Sequence, residues 1–257
     1  MNRKAIIGGT GVYDVMEGAT TQSIVTAYGD VSYDLVKIGD TEVIFLARHG
    51  KEHNLPPHKI NYRANMMALK MLEVDEIMAI CAVGSMNDAY EPGDIVVIND
   101  FMDFTKNRIQ TFFDGDTERV AHVEMTDPYC NRLRGMLVDG FEAHALNCKG
   151  NAVYVCTEGP RFETAAEIRM YRQLGGDVVG MTNIPESVLA KELGICYAAV
   201  GVITNWCTGI EGKAIAGHQI TASMNQNKEK LTRLFLELLS RTETAQSCKC
   251  QQSLIIV

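Results

Sequence analysis

Apolar residues recur along this chain in short continuous runs, separated by turns and by segments with helical spacing. Residues 4–8 (KAIIG) read as a buried strand that breaks into the glycine-rich turn Gly8-Gly9-Thr10-Gly11. Residues 31–38 and 42–47 read as two strands joined at Gly39-Asp40, the second ending in Arg48-His49-Gly50. Residues 61–72 have helical spacing with Asn61 as N-cap. Residues 77–83 (IMAICAV) form an unbroken apolar run, as expected of a strand buried on both faces, and 94–98 predict another. Residues 102–127 are polar and irregular, a length that in a compact domain points to function. Beyond them the pattern predicts a helix over 128–142, a strand over 152–156, a helix over 165–174 stopped by Gly175, a short strand over 178–180, a helix over 185–193 with Pro at its first turn, a strand over 197–204 and a long amphipathic helix over 221–240. The last dozen residues read as frayed. Strands alternating with helices predict an α/β fold. With no repeat, linker or break in composition, one domain over 1–245 and a tail over 246–257 is the economical division.

Composition narrows the function. The net charge of −8 comes without any basic run, which argues against a nucleic-acid partner. It leaves room for an anionic small substrate, because a few N–H and Arg donors suffice to hold one. The first residues are too short and interrupted for a secretory leader, and no run nears the roughly 20 apolar residues that span a bilayer. The expectation is a cytoplasmic protein with no membrane partner. Six of the eight cysteines lie singly, several within apolar runs, and read as reduced core residues. Cys248-Lys249-Cys250 is the one close pair. With no second Cys/His pair at ligand spacing the metal reading is weak, so no metal is expected. A redox role and a solvated tail with two thiols both remain open for this pair.

The candidate chemistry sits where strands end. The Gly8–Gly11 turn lacks the third glycine and the helix start of a dinucleotide fingerprint. It suits a turn whose N–H groups and Thr10 hydroxyl hold a phosphate, or a plain turn. Arg48 offers a planar fork to phosphate oxygens, and His49 adds a donor. Ala82-Val83-Gly84-Ser85 closes a buried strand with small residues that let a ligand approach the backbone. The stretch 157–205 carries further polar groups behind buried segments.

Taken together, IIGGTG, FLARHG, NYRAN, VGS, EPGDIVVI, TEGPRFET, VGMTNIPE, LAKELGICYA and ITN resemble the trimeric purine nucleoside phosphorylases and the related methylthioadenosine and methylthioinosine phosphorylases, over nearly the whole chain. The resemblance implies a mixed, twisted, partly barrel-like sheet flanked by helices, a homotrimer, and no metal or organic cofactor, inorganic phosphate being a co-substrate. It implies phosphate attack on C1′ of a nucleoside, giving a free purine and a pentose 1-phosphate. It places the phosphate site on Thr10, Arg48, His49, the backbone around Cys81 and Ala82, and Thr182. Methylthioadenosine phosphorylases usually have Thr where this chain has Cys81. Met181 falls at the ribose and Phe162 at the stacked base.

The base-reading positions that the resemblance assigns carry a chemical preference. A 6-oxopurine presents N1–H as a donor and O6 and N7 as acceptors, and a carboxylate only accepts. Glu163 falls where 6-oxopurine enzymes read N1–H. Asn205 falls where they have Asn and adenosine-type enzymes have Asp, and Cys207 replaces the second Asp of that type. All three agree on hypoxanthine or guanine, and a site built for one pattern can reject the other by about 10⁴. His122 resembles a residue lent across the trimer interface to the 5′ end of the sugar, and His218 one that holds a 5′-hydroxyl. The expected mechanism is electrostatic: phosphate held by Thr10, Arg48, His49 and Thr182 stabilises an oxocarbenium-like sugar, and Asn205 stabilises the anionic purine. Alternatives are a 5′-methylthioinosine or 5′-methylthioadenosine phosphorylase and, from another class, a non-catalytic purine-binding protein.

Overall fold

The computed structural model describes residues 2–9, 18–52, 54–115, 119–210, 217–241 and 248–257. Its elements run β1 (Asn2–Gly8), β2 (Thr20–Thr26), β3 (Gly29–Ile38), β4 (Thr41–Ala47), α1 (Tyr62–Met71), β5 (Val74–Ser85), β6 (Ile95–Phe104) and β7 (Ala121–Val123). They continue with α2 (Asn131–Ala143), β8 (Cys148–Thr157), α3 (Ala165–Gln173), β9 (Val178–Gly180), α4 (Asn183–Glu192), β10 (Cys196–Trp206), α5 (Gly217–Ser240) and β11 (Leu254–Ile256). Every helix and strand expected above is present. Asn61 caps α1, its side chain accepting from the Ala64 N–H at 3.1 Å. A capping box starts α3, with Thr164 and Glu167 each bonding the other's backbone N–H.

Nine strands form one mixed sheet in the order β10-β6-β8-β9-β5-β1-β4-β3-β2. Because β10 also pairs with β5, the strands β10, β6, β8, β9 and β5 close into a ring, and β1, β4, β3 and β2 extend from it. Period-two alternation divides the core. Ile77, Ala79, Cys81 and Val83 face the layer with α1 and α4, whereas Met78 and Ile80 face α2 and α5 through Leu133, Leu137, Phe141, Leu234, Phe235 and Leu238.

One interruption in this sheet positions the site. On one side of β5, pairing with β1 ends at Ile7 opposite Ala79, and pairing with β9 covers only Gly84 and Ser85. Residues 80–83 therefore have no strand partner on that side among the described residues. Ala82 is exposed there, in the middle of a strand whose residues on either side are buried. Strand alternation aims the Ala82 N–H into the same gap.

One strand was not foreseen and two expectations are corrected. β2 pairs antiparallel with β3 but has a nearly all-exposed sequence, TTQSIVT, with no apolar run to mark it. β6 continues to Phe104 beside β8, so the irregular segment starts after 104 rather than at 102. The tail is not frayed where it is described: β11 pairs antiparallel with β7, Ser253 is buried, and its carbonyl accepts from the Glu124 N–H at 2.9 Å.

Close packing at Gly180 fixes the start of α4. A Cβ there would collide with the Tyr154 hydroxyl and lie 2.8 Å from its ring. That hydroxyl accepts from the Thr182 and Asn183 N–H groups at 3.1 and 3.4 Å. Gly180→Ala is expected to lower stability by about 1–3 kcal/mol, as overpacking does, read as a reduced urea midpoint at unchanged slope. An unchanged midpoint would show that Tyr154 moves aside freely.

Candidate active site

Groups from four strand ends converge on the gap in the sheet. Arg48 follows β4 and is 2% exposed. Its Nε and Nη2 donate to the two oxygens of Glu186 at 2.7 and 2.6 Å, and Nη1 donates to the Ile80 carbonyl at 3.1 Å. Burial works against its charge, but the Glu186 carboxylate outweighs this and holds the guanidinium protonated. Three of five N–H donors are used this way, which leaves two for a ligand. Thr182 sits opposite Cys81 by continuation of the β5–β9 register, and its hydroxyl lies 3.9 Å from the Cys81 sulfur. The same register sets Met181 beside Ala82. Burial pushes the Cys81 thiol up, with Arg48 opposing, so it is a neutral thiol. Its sulfur accepts from Asn183 Nδ2 at 3.5 Å, which turns the side chain toward the interior. His49 Nδ1 lies 2.8 Å from the Leu55 carbonyl, and its ring edge borders Gly9 at the end of β1. Thr10 lies outside the described residues.

The second half of the site surrounds Gly84. A register shift between Ile203 and Asn205 brings Asn205 opposite Gly84 in the β10–β5 ladder. A Cβ at Gly84 would lie 3.0 Å from Cys207 Sγ and 3.1 Å from Asn205 Nδ2, so only glycine lets these two side chains approach the strand. Asn205 is 5% exposed. Its Nδ2 donates to the Trp206 carbonyl at 2.8 Å, and its Oδ1 lies 2.8 Å from the Thr204 hydroxyl, so the amide is fixed with a second N–H to offer. Glu163 is buried and accepts from the Thr157 hydroxyl at 2.6 Å. Burial, reinforced by the Glu163 charge, pushes the Cys207 thiol up, which places Cys207 in electrostatic reach of that carboxylate. Phe162, next to Glu163, is half exposed, and Met181 packs over Gly159.

Arg48, Ala82, Met181 and Thr182 thus line one end, with the Cys81 side chain turned to the interior behind them, and Glu163, Asn205 and Cys207 line the other, along five residues of β5. His122 lies apart, exposed on β7 and paired opposite Ile255 of the tail. His218 lies in α5, and its side chain is outside the described residues.

Sequence reading missed the layer behind these groups. Glu186 is completely buried and also accepts from the Tyr197 hydroxyl at 2.7 Å; Asn183, also buried, donates to that hydroxyl at 2.9 Å. In the sequence Glu186 has the look of an ordinary acidic residue in a helix first turn. Arg108, from the irregular segment, donates to the carbonyls of Ile184, Thr157 and Glu158 and ties both walls of the site together. The unusual length of that segment was the available signal.

The chain matches the model of the Phosphorylase superfamily over residues 3–240. It is 47% identical over 260 residues to a Pyrococcus furiosus protein named 6-oxopurine nucleoside phosphorylase, covering 99% of this chain and 98% of that protein. It is 45% identical over 255 residues to a Methanopyrus kandleri protein named "Probable S-methyl-5'-thioinosine phosphorylase", covering 99% and 98%. In structure it is similar to a methylthioadenosine phosphorylase from an antarctic soil metagenomic library, with a TM-score of 0.89, 33% identity, and coverage of 100% of this chain and 93% of that one.

Proposed function

This chain belongs to the phosphorylase superfamily and is a nucleoside phosphorylase, and from that we propose that it cleaves 6-oxopurine nucleosides with inorganic phosphate as co-substrate. The observation that carries the reading is the exposed Ala82 in the gap of β5, with a paired arginine at one side and a buried carboxylate and amide at the other. Phosphate sits in the gap, held by Arg48, Thr182, the Ala82 N–H, His49 and Thr10. One of its oxygens bonds to C1′ as the bond from C1′ to N9 breaks, and the electron pair leaves with the purine. Glu163 accepts from N1–H, Asn205 donates to N7 or O6, Phe162 stacks on the base, and Met181 packs on the ribose. The enzyme acts as a cytoplasmic homotrimer, with His122 and His218 at the 5′ end of the sugar and no organic cofactor.

The test is a panel of inosine, guanosine, adenosine and their 5′-methylthio forms, each with and without phosphate. Consumption only with phosphate, yielding pentose 1-phosphate, and preference for the 6-oxo bases are expected. Phosphate-independent consumption would reject phosphorolysis. A 5′-methylthioinosine substrate is the second reading, favoured by the Methanopyrus kandleri relative, and best turnover on that compound would establish it. Glu163→Gln is expected to lower kcat/KM for inosine by about 10–100-fold, since a hydrogen bond to a charged group is lost. Adenosine, which has no N1–H, is expected to lose less, and equal losses would remove Glu163 from base reading.

A further inference from the structure

Four cysteines distant in sequence meet at the end of the molecule opposite the site. Cys130 is the N-cap of α2, Cys196 begins β10, and Cys248 and Cys250 lie in the tail. All four sulfurs lie within 4.8 Å of one another, with Cys196 and Cys248 at 3.3 Å. Cys130 and Cys196 are buried, and the tail pair is half-buried against the α2–α5 core, so the solvated-tail reading of this pair does not hold. The second pair that the sequence lacked at ligand spacing is supplied by folding. Cys196 and Asn205 stand at opposite ends of β10, about 30 Å apart at a strand rise of about 3.3 Å per residue.

We infer that Cys130, Cys196, Cys248 and Cys250 form a structural tetrathiolate site for a divalent cation of the zinc class. Zinc–sulfur bonds of about 2.3 Å in a tetrahedron set sulfurs about 3.8 Å apart, so modest rotations of the four side chains close the shell. Two separate disulfides require only two short distances and give no reason for all four sulfurs to gather at one point. On binding, four thiol protons pass to solvent and four thiolates bond the cation, leaving a net charge of −2. A second observation points to that charge. Arg132 is the second residue of α2, two positions after Cys130. Its side chain is 9% exposed and its Nη2 pairs with Glu76, but its Nε is buried with no hydrogen-bond partner among the described residues. A thiolate supplies the acceptor that this N–H lacks.

The site clips the tail to the core. The α-carbon of Gln251 would lie 3.5 Å from a Cβ on Gly194, just before β10, and past the clip the tail pairs with β7, the strand that carries His122. The cation thereby braces β7 without taking part in catalysis.

The test is elemental analysis of the full-length protein, purified under reducing conditions without chelator and dialysed. About one zinc per chain is expected, with none in the Cys248→Ser/Cys250→Ser variant. Exchange into cobalt is expected to give the visible spectrum of a tetrahedral tetrathiolate, a readout that does not depend on the variant folding. Removing the metal is expected to raise amide exchange at Leu254–Ile256 and Ala121–Val123 while turnover continues. A metal-free protein overturns the inference, whether its eight thiols titrate as free or only four react because two disulfides have formed.

Discussion

Asn205→Ala is expected to reduce kcat/KM for inosine by about 10²–10³, the loss found when a single preorganised oxyanion donor is removed. The reason lies in how the amide is held. Thr204 and the Trp206 carbonyl each engage one end of it at 2.8 Å, so its remaining N–H is aimed before substrate arrives and no reorganisation is needed as charge builds on the purine. Alanine leaves the Thr204 hydroxyl with the Val83 carbonyl as an acceptor at 3.2 Å, so the fold is expected to survive and the loss to appear mainly in kcat. Asn205→Asp replaces a donor with a group that only accepts. It is expected to raise the ratio of adenosine to inosine turnover, since a 6-amino group can donate to it. Steady-state kinetics at saturating phosphate measure both, and an Asn205→Ala enzyme with ordinary inosine turnover would dismiss the assignment.

Glu186→Gln is expected to cost about 3–5 kcal/mol of stability, because it leaves the Arg48 guanidinium buried without its counter-charge. Glutamine keeps the shape and one acceptor, so a loss of this size reports charge rather than packing. Phosphate distinguishes a purely structural pair from one that serves the site. If Arg48 faces phosphate, the dianion supplies the missing negative charge, and added phosphate raises the melting temperature of Glu186→Gln more than that of the parent protein. Equal shifts would mean that Arg48 holds α4 to β5 and does not contact the co-substrate. In the proposed site the carboxylate is a positioning group: it sets the plane of the guanidinium, and two N–H groups are left over from its pairing with Glu186 and the Ile80 carbonyl.

The sheet strands that bury apolar runs were legible in the sequence because the run itself is the signal, as at 77–83 and 197–204. β2 was not, since its residues face solvent and its partner β3 alone makes it a strand. Glu163, Asn205 and Thr182 were legible as candidates through motifs in order along the chain. Ala82 was legible as a small residue near a strand end, but its exposure was not, because that follows from where β1 stops and β9 begins.

The sequence by itself determined the alternation of strands and helices, the caps, and the residue types on which a phosphate and a 6-oxopurine could be read, since propensity, periodicity and hydrogen-bonding capacity are local properties. Only the tertiary structure decided the closure of the ring through β10, the gap along residues 80–83, the pairing of Arg48 with Glu186 138 positions away, and the meeting of the Cys248–Cys250 pair with Cys130 and Cys196. Each of these joins groups far apart in the chain, and their approach is set by strand register and by burial, which no local pattern encodes.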